Sequence, residues 1–269
     1  LNQLSVKRGL RIFYKTVSKL ENYNTGQPEI ISFENTEIDE LNKLTEIFEK
    51  MSSKISADFK EQKEYTENVS HEIQTPLAII SSKADELLQS ENLKKNEMEK
   101  LEIIMNTTSR LAKINQALIL LTKIENKSYN EKSSFSIYQI INEKIDFYSS
   151  LINEKDIKVK IDIEQEAKIN MNAYLADTLF LNLIKNAIMH NIKGGVINIY
   201  YKSNILQINN TGSKLDVDGD IFKRFVRSVN KESLGIGLSI VKKICDFHSI
   251  TISYFYTDQH EFKLDFSDE

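Results

Sequence analysis

The sequence is poor in several features, and each scarcity excludes a class of protein. Its single cysteine, Cys245, forms no internal disulfide and provides no cysteine metal site, which fits a reducing compartment. It contains no run of about 18 apolar residues, the length that a membrane helix requires. The formal net charge is only -4, with a pI of about 5.8, so there is no general basic surface for a nucleic-acid backbone. Nucleic acid is therefore not an expected partner.

Proline and glycine are also rare, and their positions divide the chain into two halves. Two prolines and eight glycines interrupt 269 residues, and the glycines are concentrated in the second half. Because both residue types break helices, the first half is predicted to form long helices. At this length more than one domain is expected, and 41% hydrophobic with 28% charged residues is typical of a globular protein.

Two stretches of the first half carry apolar residues at spacings of three and four, which is the pattern of an amphipathic helix. A polar break at residues 89–96 separates them, and together they predict a helical hairpin. One hairpin cannot bury both apolar stripes, whereas two copies form a four-helix bundle, so we expect a homodimer. The first stripe comprises Leu44, Phe48, Met51, Ile55, Phe59, Val69, Ile73, Leu77, Ile80, Ala84 and Leu87, and the second comprises Leu101, Ile104, Thr108, Leu111, Asn115, Leu118 and Leu121.

From about residue 132 the pattern changes to alternating helical and β-branched segments. This succession predicts a layered α/β sandwich. The predicted fold class is therefore multidomain, α and α+β, with a helical-hairpin four-helix-bundle dimer domain followed by an α/β sandwich. Helices are predicted near residues 136–155, 173–191 and 238–248, and strands near residues 157–163, 196–201, 205–209, 250–256 and 261–266.

The string SHEIQTPL, residues 70–77, places a nucleophile in the middle of the first predicted helix. At neutral pH an imidazole is mostly uncharged, so one ring nitrogen of His71 can attack while the other donates a hydrogen bond. Glu72 can accept that bond, which fixes the tautomer and stabilises the cation that forms as a bond to phosphorus is made. Pro76 interrupts the helical hydrogen-bond ladder and is expected to bend the helix beside the histidine.

A single histidine on a helix is more often an ordinary surface or core residue, but the complete octet reverses that interpretation. The octet resembles the phospho-acceptor box of sensor histidine kinases, with matched positions at His71, Glu72, Thr75 and Pro76. The resemblance implies phosphorylation of His71 and transfer to a response-regulator receiver domain. Thr75 lies one turn beyond His71, so its hydroxyl can hold a water that dephosphorylates the regulator. The alternative role of Thr75 is a local helix hydrogen bond.

A second string, NLIKNAIMHN at residues 182–191, lies on a predicted helix. Asn182 and Asn186 are four residues apart and share a face, as do Asn186 and His190. Amide oxygens suit Mg²⁺, a hard cation that keeps several waters while it bridges nucleotide phosphates. A polar helix face is the ordinary explanation of any one asparagine, so only the surrounding strings favour a metal role.

The surrounding strings are IFKRFVR at residues 221–227 and SLGIGLSIVKK at residues 233–243. Gly235 and Gly237 allow backbone amides to approach phosphates at the start of a helix. Arg227, together with Arg224, can neutralise phosphoryl charge. The glycine pair is not a dinucleotide fingerprint, since a third glycine and a leading strand are missing, and it is not a P-loop, since Gly-Lys-Ser/Thr is missing.

Together with the NNTG loop at residues 209–212, these strings resemble the GHKL-type ATP-binding domain. Histidine kinases, Hsp90-like chaperones, gyrase-type topoisomerases and MutL-like repair proteins share this domain. The resemblance implies ATP and Mg²⁺ as cofactors and Asn186 as the metal ligand, with Asn182 as its companion. It also implies a phosphate-facing Arg227. The remaining ATP-binding residues are predicted to be His190, Asn210, Gly212 and the lid-hinge glycines Gly235 and Gly237.

Several positions depart from that family's pattern. Asn210 stands where an aspartate usually accepts a hydrogen bond from the adenine amino group, and Lys214 replaces a glycine of the same loop. An amide oxygen can still accept that bond without charge, so its net contribution should fall towards about 0.5–1.5 kcal/mol. Met189 occupies a position that is often Lys or Arg, and Ser233 replaces the first glycine of the last string.

The N-terminal part resembles a HAMP signal-relay module, with an amphipathic segment, a connector at residues 28–33 and an acidic-led second segment at residues 36–51. We predict three domains: a HAMP-like relay segment at 1–56, a dimerisation and histidine phosphotransfer domain at 57–131 and a catalytic ATP-binding domain at 132–269.

The chain begins with Leu1 and a basic amphipathic stretch. From this we expect the cytoplasmic portion of a membrane protein, with a transmembrane segment ahead of it.

Two alternatives to a kinase stay open. A non-catalytic relay scaffold would keep the bundle and the regulator-docking surface but would have lost useful ATP binding through Asn210, Met189 and Ser233. Nucleotide binding separates that scaffold from a kinase. A chaperone-like ATPase is disfavoured, because it gives no reason for SHEIQTPL on a dimer helix.

Overall fold

The computed structural model of the chain describes residues 13–14, 17–19, 31–33, 35–36, 38–90, 93–126, 128–129, 131–214, 220–224 and 235–267, without the side chains at positions 63 and 67. The chain divides into two compact units, one that ends at Thr75 and one that begins at Pro76. Much of the predicted HAMP-like segment lies outside the described residues. Within it, residues 13–14 and 17–19 are helical.

The first long helix, α1 (Asp39–Leu88), has 50 residues and contains the SHEIQTPL string. Asp39 and Glu40 lie in its first turn, where carboxylates complement the positive end of the helix dipole. The helix is continuous across residues 56–57, which the sequence predicts as the boundary between relay segment and bundle. It also continues through Pro76.

The second long helix is α2 (Lys95–Glu125). The backbone N–H of Lys94 donates to Glu97 Oε2 at 2.9 Å and so stabilises the start of this helix. The two helices confirm the predicted helical region. In the second unit their buried stripe residues include Leu77, Ala84, Leu101, Thr108 and Asn115, whereas exposed apolar residues include Ile79, Ile80, Leu87, Ile103, Ile104 and Leu111.

Beyond α2 the chain forms an α/β domain on a five-stranded mixed sheet. Its strands are β2 (Lys158–Ile163), β4 (Val196–Lys202), β5 (Ile205–Asn210), β6 (Thr251–Tyr256) and β7 (His260–Asp265), in the spatial order β2-β4-β5-β7-β6. β2 and β4 run parallel, and the other neighbours run antiparallel. β1 (Ser133–Ser136) and β3 (Lys168–Met171) form a separate antiparallel pair.

Helices supply the second layer of this domain. They are α3 (Ile137–Phe147), α4 (Ser149–Glu154), α5 (Ala173–Met189) and α6 (Gly237–Phe247). Along β5 and β7 fully buried residues alternate with partly buried ones, as expected for a sheet with one well-covered face. The last turns of α2 belong to the same core through Ala117, Leu121 and Ile124. This architecture confirms the predicted α/β sandwich after a helical domain.

Two details differ from the sequence prediction. The helix predicted over residues 136–155 is two helices, α3 and α4, because the backbone of Tyr148 (φ -98°, ψ 13°) leaves the helical region between them. The sequence also does not predict β1 and β3. Each has only four residues, and β1 consists of SSFS, so the alternating apolar pattern that indicates a strand is too short to be seen.

None of the helices in the described ranges combines the length and the hydropathy that crossing a lipid bilayer requires.

Candidate functional site

His71 lies on the exposed surface of α1. The neighbouring side chains of Glu72 and Thr75 are exposed as well, so the imidazole is open to an incoming group. Thr75 Oγ1 donates a hydrogen bond to the backbone carbonyl of His71 at 3.4 Å, one helical turn earlier. The three predicted catalytic residues therefore share one exposed stretch of helix.

The predicted metal-binding asparagines lie on α5. This helix begins at Asn172, whose Oδ1 accepts hydrogen bonds from the backbone N–H groups of Tyr174 and Leu175. Asn182 Nδ2 donates to the Thr178 carbonyl at 2.8 Å, and its Oδ1 makes no hydrogen bond to the described residues. Asn186 is half-buried, and its side chain has no hydrogen-bond partner among the described residues. Amide oxygens so placed fit a hard cation.

The predicted lid-hinge glycines lie at the start of α6, against α5. Gly235 has φ +68°, a conformation that favours glycine. Gly237 is the first residue of α6, and no side chain of the described residues caps the first N–H groups of the helix, a position that suits an anion. A Cβ atom on Gly237 would lie 2.8 Å from Asn182 Oδ1. The structure thus brings these two predicted residues together.

The loop after β5 is held by side-chain hydrogen bonds. Asn210, the last residue of β5, is 1% exposed, and its Nδ2 donates to the Thr211 carbonyl at 2.9 Å. Thr211 Oγ1 donates to Asn191 Oδ1 at 2.5 Å and accepts from the N–H of Val196 at 2.8 Å. A Cβ atom on Gly212 would clash with the His190 carbonyl oxygen. The end of α5 and the start of this loop therefore touch.

Three residues of β6 and β7 adjoin the same loop, and sequence reasoning misses them. His260 is 2% exposed, and its Nδ1 lies 2.8 Å from the Tyr254 hydroxyl. Among the described residues its buried Nε2 has no hydrogen-bond partner, and this atom lies 2.8 Å from where a Cβ on Gly212 would be. Tyr256 donates from its hydroxyl to the Gly212 carbonyl at 3.2 Å. The one available signal was the two tyrosines of the predicted strand at residues 250–256 and the histidine just before the next predicted strand.

Both histidines at this loop are neutral at pH 7. Burial lowers the pKa of His260 below 6.5; the nearby Ser213 backbone opposes the shift and His190 reinforces it. Burial also lowers the pKa of His190, and Lys155 adds to that effect. Lys155 Nζ itself donates to the carbonyls of Ile188 and Met189, at 3.0 and 3.1 Å, and so caps the C-terminal end of α5.

The arginine-containing string is only partly described. Arg227 and Ser233 lie outside the described residues. Arg224 Nη2 is 3.3 Å from Glu125 Oε1 at the end of α2, and Lys243 Nζ is 3.0 Å from the same oxygen. Arg224 is therefore engaged by a carboxylate, a contact that sequence reasoning does not foresee.

Two family models match the chain. The His Kinase A (phospho-acceptor) domain matches residues 61–127, which include His71. The Histidine kinase-, DNA gyrase B-, and HSP90-like ATPase matches residues 172–267, which include α5, β5 and α6. The chain belongs to the sensor histidine kinase family. The second match also supports ATP as the ligand of the α/β domain.

Relatives among curated proteins include two staphylococcal proteins, each named heme sensor protein HssS. The protein of Staphylococcus saprophyticus is 31% identical over 226 residues, which cover 81% of this chain and 49% of that protein. The protein of Staphylococcus aureus is 29% identical over 237 residues, which cover 84% and 50%. The chain thus spans about half the length of the curated relatives it matches.

Two solved structures share the fold. Full-length ShkA in complex with AMPPNP superposes with a TM-score of 0.60 at 17% identity, covering 75% of this chain and 45% of that chain. The Acinetobacter baumannii histidine kinase AdeS gives a TM-score of 0.52 at 20% identity, covering 72% and 95%. At such identity the likeness supports the fold, and the roles of individual residues stay predictions.

Proposed function

We propose that this chain is the cytoplasmic part of a membrane sensor histidine kinase, which uses ATP to phosphorylate His71 and passes the phosphoryl group to an aspartate of a response regulator. One observation carries the proposal. An exposed His71 stands on a helix of a phospho-acceptor domain, in a chain that also holds the ATPase domain of the same family.

In the phosphorylation step a ring nitrogen of His71 forms a bond to the γ-phosphorus of ATP. The bond from that phosphorus to the β–γ bridging oxygen breaks, and ADP leaves. Glu72 accepts the hydrogen bond and then the proton of the other ring nitrogen, which offsets the positive charge that the imidazole acquires. Positioning and charge stabilisation supply most of the rate enhancement.

The edge of the α/β domain fits a nucleotide with its metal. The start of α6, which no described side chain caps, lies beside Asn182 and offers backbone N–H groups to phosphate. Asn186, whose side chain bonds to no described residue, offers its oxygen to Mg²⁺, which neutralises phosphate charge when bound. We assign to the same site His190, Asn210, Gly212, Gly235 and Gly237, and, from the sequence string, Arg227.

A homodimer is part of the proposal. In the second unit α1 and α2 leave large apolar side chains exposed on a single copy, among them Ile80, Ile104 and Leu111. Pairing two copies as a four-helix bundle buries such side chains, and the phospho-acceptor family match supports this assembly. The response regulator then docks beside His71, where Thr75 also stands ready to act in dephosphorylation.

The test is incubation of the chain with γ-labelled ATP and Mg²⁺. The expected product carries label that is labile in acid and stable in base, as a phosphohistidine is, and His71→Gln carries none while it still dimerises and binds ATP. Label that persists on His71→Gln contradicts the assignment of His71. A chain that dimerises but binds no ATP would instead be the relay scaffold.

A further inference from the structure

The end of β5 belongs to a row of directly paired side chains that crosses the sheet. Tyr256 pairs with His260, His260 with Asn210, and Asn210 with Ile197. Directly paired residues point to the same face of a sheet. Because Asn210 and His260 are almost fully buried, this face is the one that the helices cover. The resemblance to the GHKL-type domain places the base of ATP at Asn210, so this row lines the base end of the proposed ATP site.

Asn210 offers a ligand both kinds of hydrogen-bonding group. One hydrogen of its Nδ2 is donated to the Thr211 carbonyl, which fixes the orientation of the amide. The second hydrogen of Nδ2 and the lone pairs of Oδ1 make no hydrogen bond to any residue in the described part of the chain. An ionised aspartate, as the related ATPases usually carry here, has acceptors only.

Three ionisable side chains near Asn210, those of His260, His190 and Tyr254, carry no charge that favours one kind of ligand group. Burial lowers the pKa values of His260 and His190 and raises the pKa of Tyr254, so all three are neutral at pH 7. The His260–Tyr254 hydrogen bond can run in either direction, since each partner can donate or accept. These side chains can therefore face either a donor or an acceptor group of a ligand.

The two classes of purine differ at the edge that such an amide reads. Adenine presents an amino donor at position 6 beside an acceptor nitrogen, whereas hypoxanthine and guanine present a keto acceptor beside an N–H donor. An amide can meet either arrangement. At position 6 itself, a carboxylate accepts from the amino group of adenine but sets an acceptor against the keto oxygen of hypoxanthine or guanine.

We propose that the nucleotide site of this chain accepts purine triphosphates with either an amino or a keto group at position 6, and that Asn210 is the residue that sets this tolerance. The proposal rests on the proposed ATP site. Because a neutral hydrogen bond contributes little net free energy, the affinities for the two classes should differ by no more than about tenfold.

The test is titration calorimetry of the full 269-residue chain with Mg²⁺ and, in turn, ATP, inosine triphosphate and GTP. Inosine triphosphate differs from ATP only at this edge of the base. The wild-type dissociation constants for ATP and inosine triphosphate are expected to agree within about tenfold. Asn210→Asp should tighten ATP binding and weaken inosine triphosphate binding, so that the ratio of the two constants grows by at least about tenfold.

The control is Asn204→Asp, which adds the same charge at the exposed turn before β5 and should leave the ratio unchanged. If Asn210→Asp does not fold, as judged by circular dichroism, Asn210→Ala is used, and it should weaken both nucleotides by similar factors. The proposed tolerance is refuted if the wild-type dissociation constants for ATP and inosine triphosphate differ by more than about tenfold. It is also refuted if Asn210→Asp leaves the ratio of the two constants unchanged. If the chain binds ATP but not inosine triphosphate, only the proposed tolerance is refuted. If it binds neither nucleotide, the proposed function is refuted as well.

Discussion

The hydroxyl of Thr75 donates to the backbone carbonyl of His71, with 3.4 Å between the two oxygens. Both residues are exposed on α1, so a phosphorylated aspartate docked at His71 comes within reach of that hydroxyl. A hydrogen bond of this length is weak, and the hydroxyl can exchange the carbonyl for a water molecule at small cost. The geometry therefore leaves Thr75 free to position an attacking water.

Thr75→Ala should abolish dephosphorylation of the response regulator while autophosphorylation of His71 continues. The role needs only a hydroxyl at a fixed place, not charge or ATP. Both rates and the melting temperature are measured on the one variant. The control is Thr66→Ala, which removes a comparable bond to the Gln62 carbonyl on the same helix. A parallel loss of kinase activity and stability in Thr75→Ala would mean that the bond is structural.

Glu72→Gln should slow autophosphorylation by about a hundredfold or more, because a neutral amide cannot take the proton of the imidazole. Dimerisation and ATP affinity should stay at wild-type values, since Glu72 is exposed on α1. The rate is read from single-turnover labelling. Glu61→Gln, at another exposed position of the helix, serves as the control. An unchanged rate in Glu72→Gln would remove its assigned role.

Asn186→Ala should abolish the Mg²⁺ dependence of ATP binding, because the proposed ligand oxygen is lost. Calorimetric titrations in Mg²⁺ and in EDTA give the two affinities. Asn142→Ala is the matched control, since this asparagine of α3 only donates to the Tyr138 carbonyl. If the ATP affinity of Asn186→Ala still rises with Mg²⁺, the metal is bound by other residues.

Leu121→Ala and Leu111→Ala should separate folding from dimerisation. Leu121 is 2% exposed, so its truncation should lower the free energy of unfolding by roughly 2–5 kcal/mol. Leu111 is 49% exposed on the single chain, so its truncation should leave the α/β domain stable and weaken the dimer. Urea unfolding measures the first effect and sedimentation equilibrium the second. Equal dimer constants for wild type and Leu111→Ala would exclude this face from the interface.

Acid should destabilise the α/β domain through His248. This residue is buried, and neither ring nitrogen has a hydrogen-bond partner in the described ranges. Burial, with a smaller effect of Lys132, lowers its pKa from 6.5 to about 4. The unfolded chain therefore takes up a proton near pH 6.5 and the folded chain only near pH 4. Stability is full above pH 6.5 and falls between these values.

His248→Phe should remove part of that dependence. Between pH 7 and pH 5 the wild type should lose roughly 1–2 kcal/mol of unfolding free energy through this residue. His190 and His260 shift in the same direction, so the variant flattens the slope without abolishing it. Urea unfolding at the two pH values measures both proteins. Identical slopes would show that His248 is not the acid-sensitive group.

Local patterns were enough to predict most of the fold and to place the predicted site residues on particular helices and loops. The long amphipathic stretches became α1 and α2, and the glycine string became the start of α6, because each depends on residues close together in the chain. His260 escaped prediction because its place opposite Asn210 depends on strand register, which local sequence does not determine. The ion pair of Arg224 with Glu125 likewise joins residues 99 positions apart.

The burial of the last turns of α2 matters for anyone who wishes to isolate the ATPase domain as a fragment. Leu121 and Ile124 fill the same core as the sheet, and Glu125 holds Arg224 and Lys243. Truncation at residue 132 would discard these side chains and leave their apolar counterparts facing water. A fragment that starts one or two turns before Ala117 would keep the residues of α2 that cover the core of the ATPase domain.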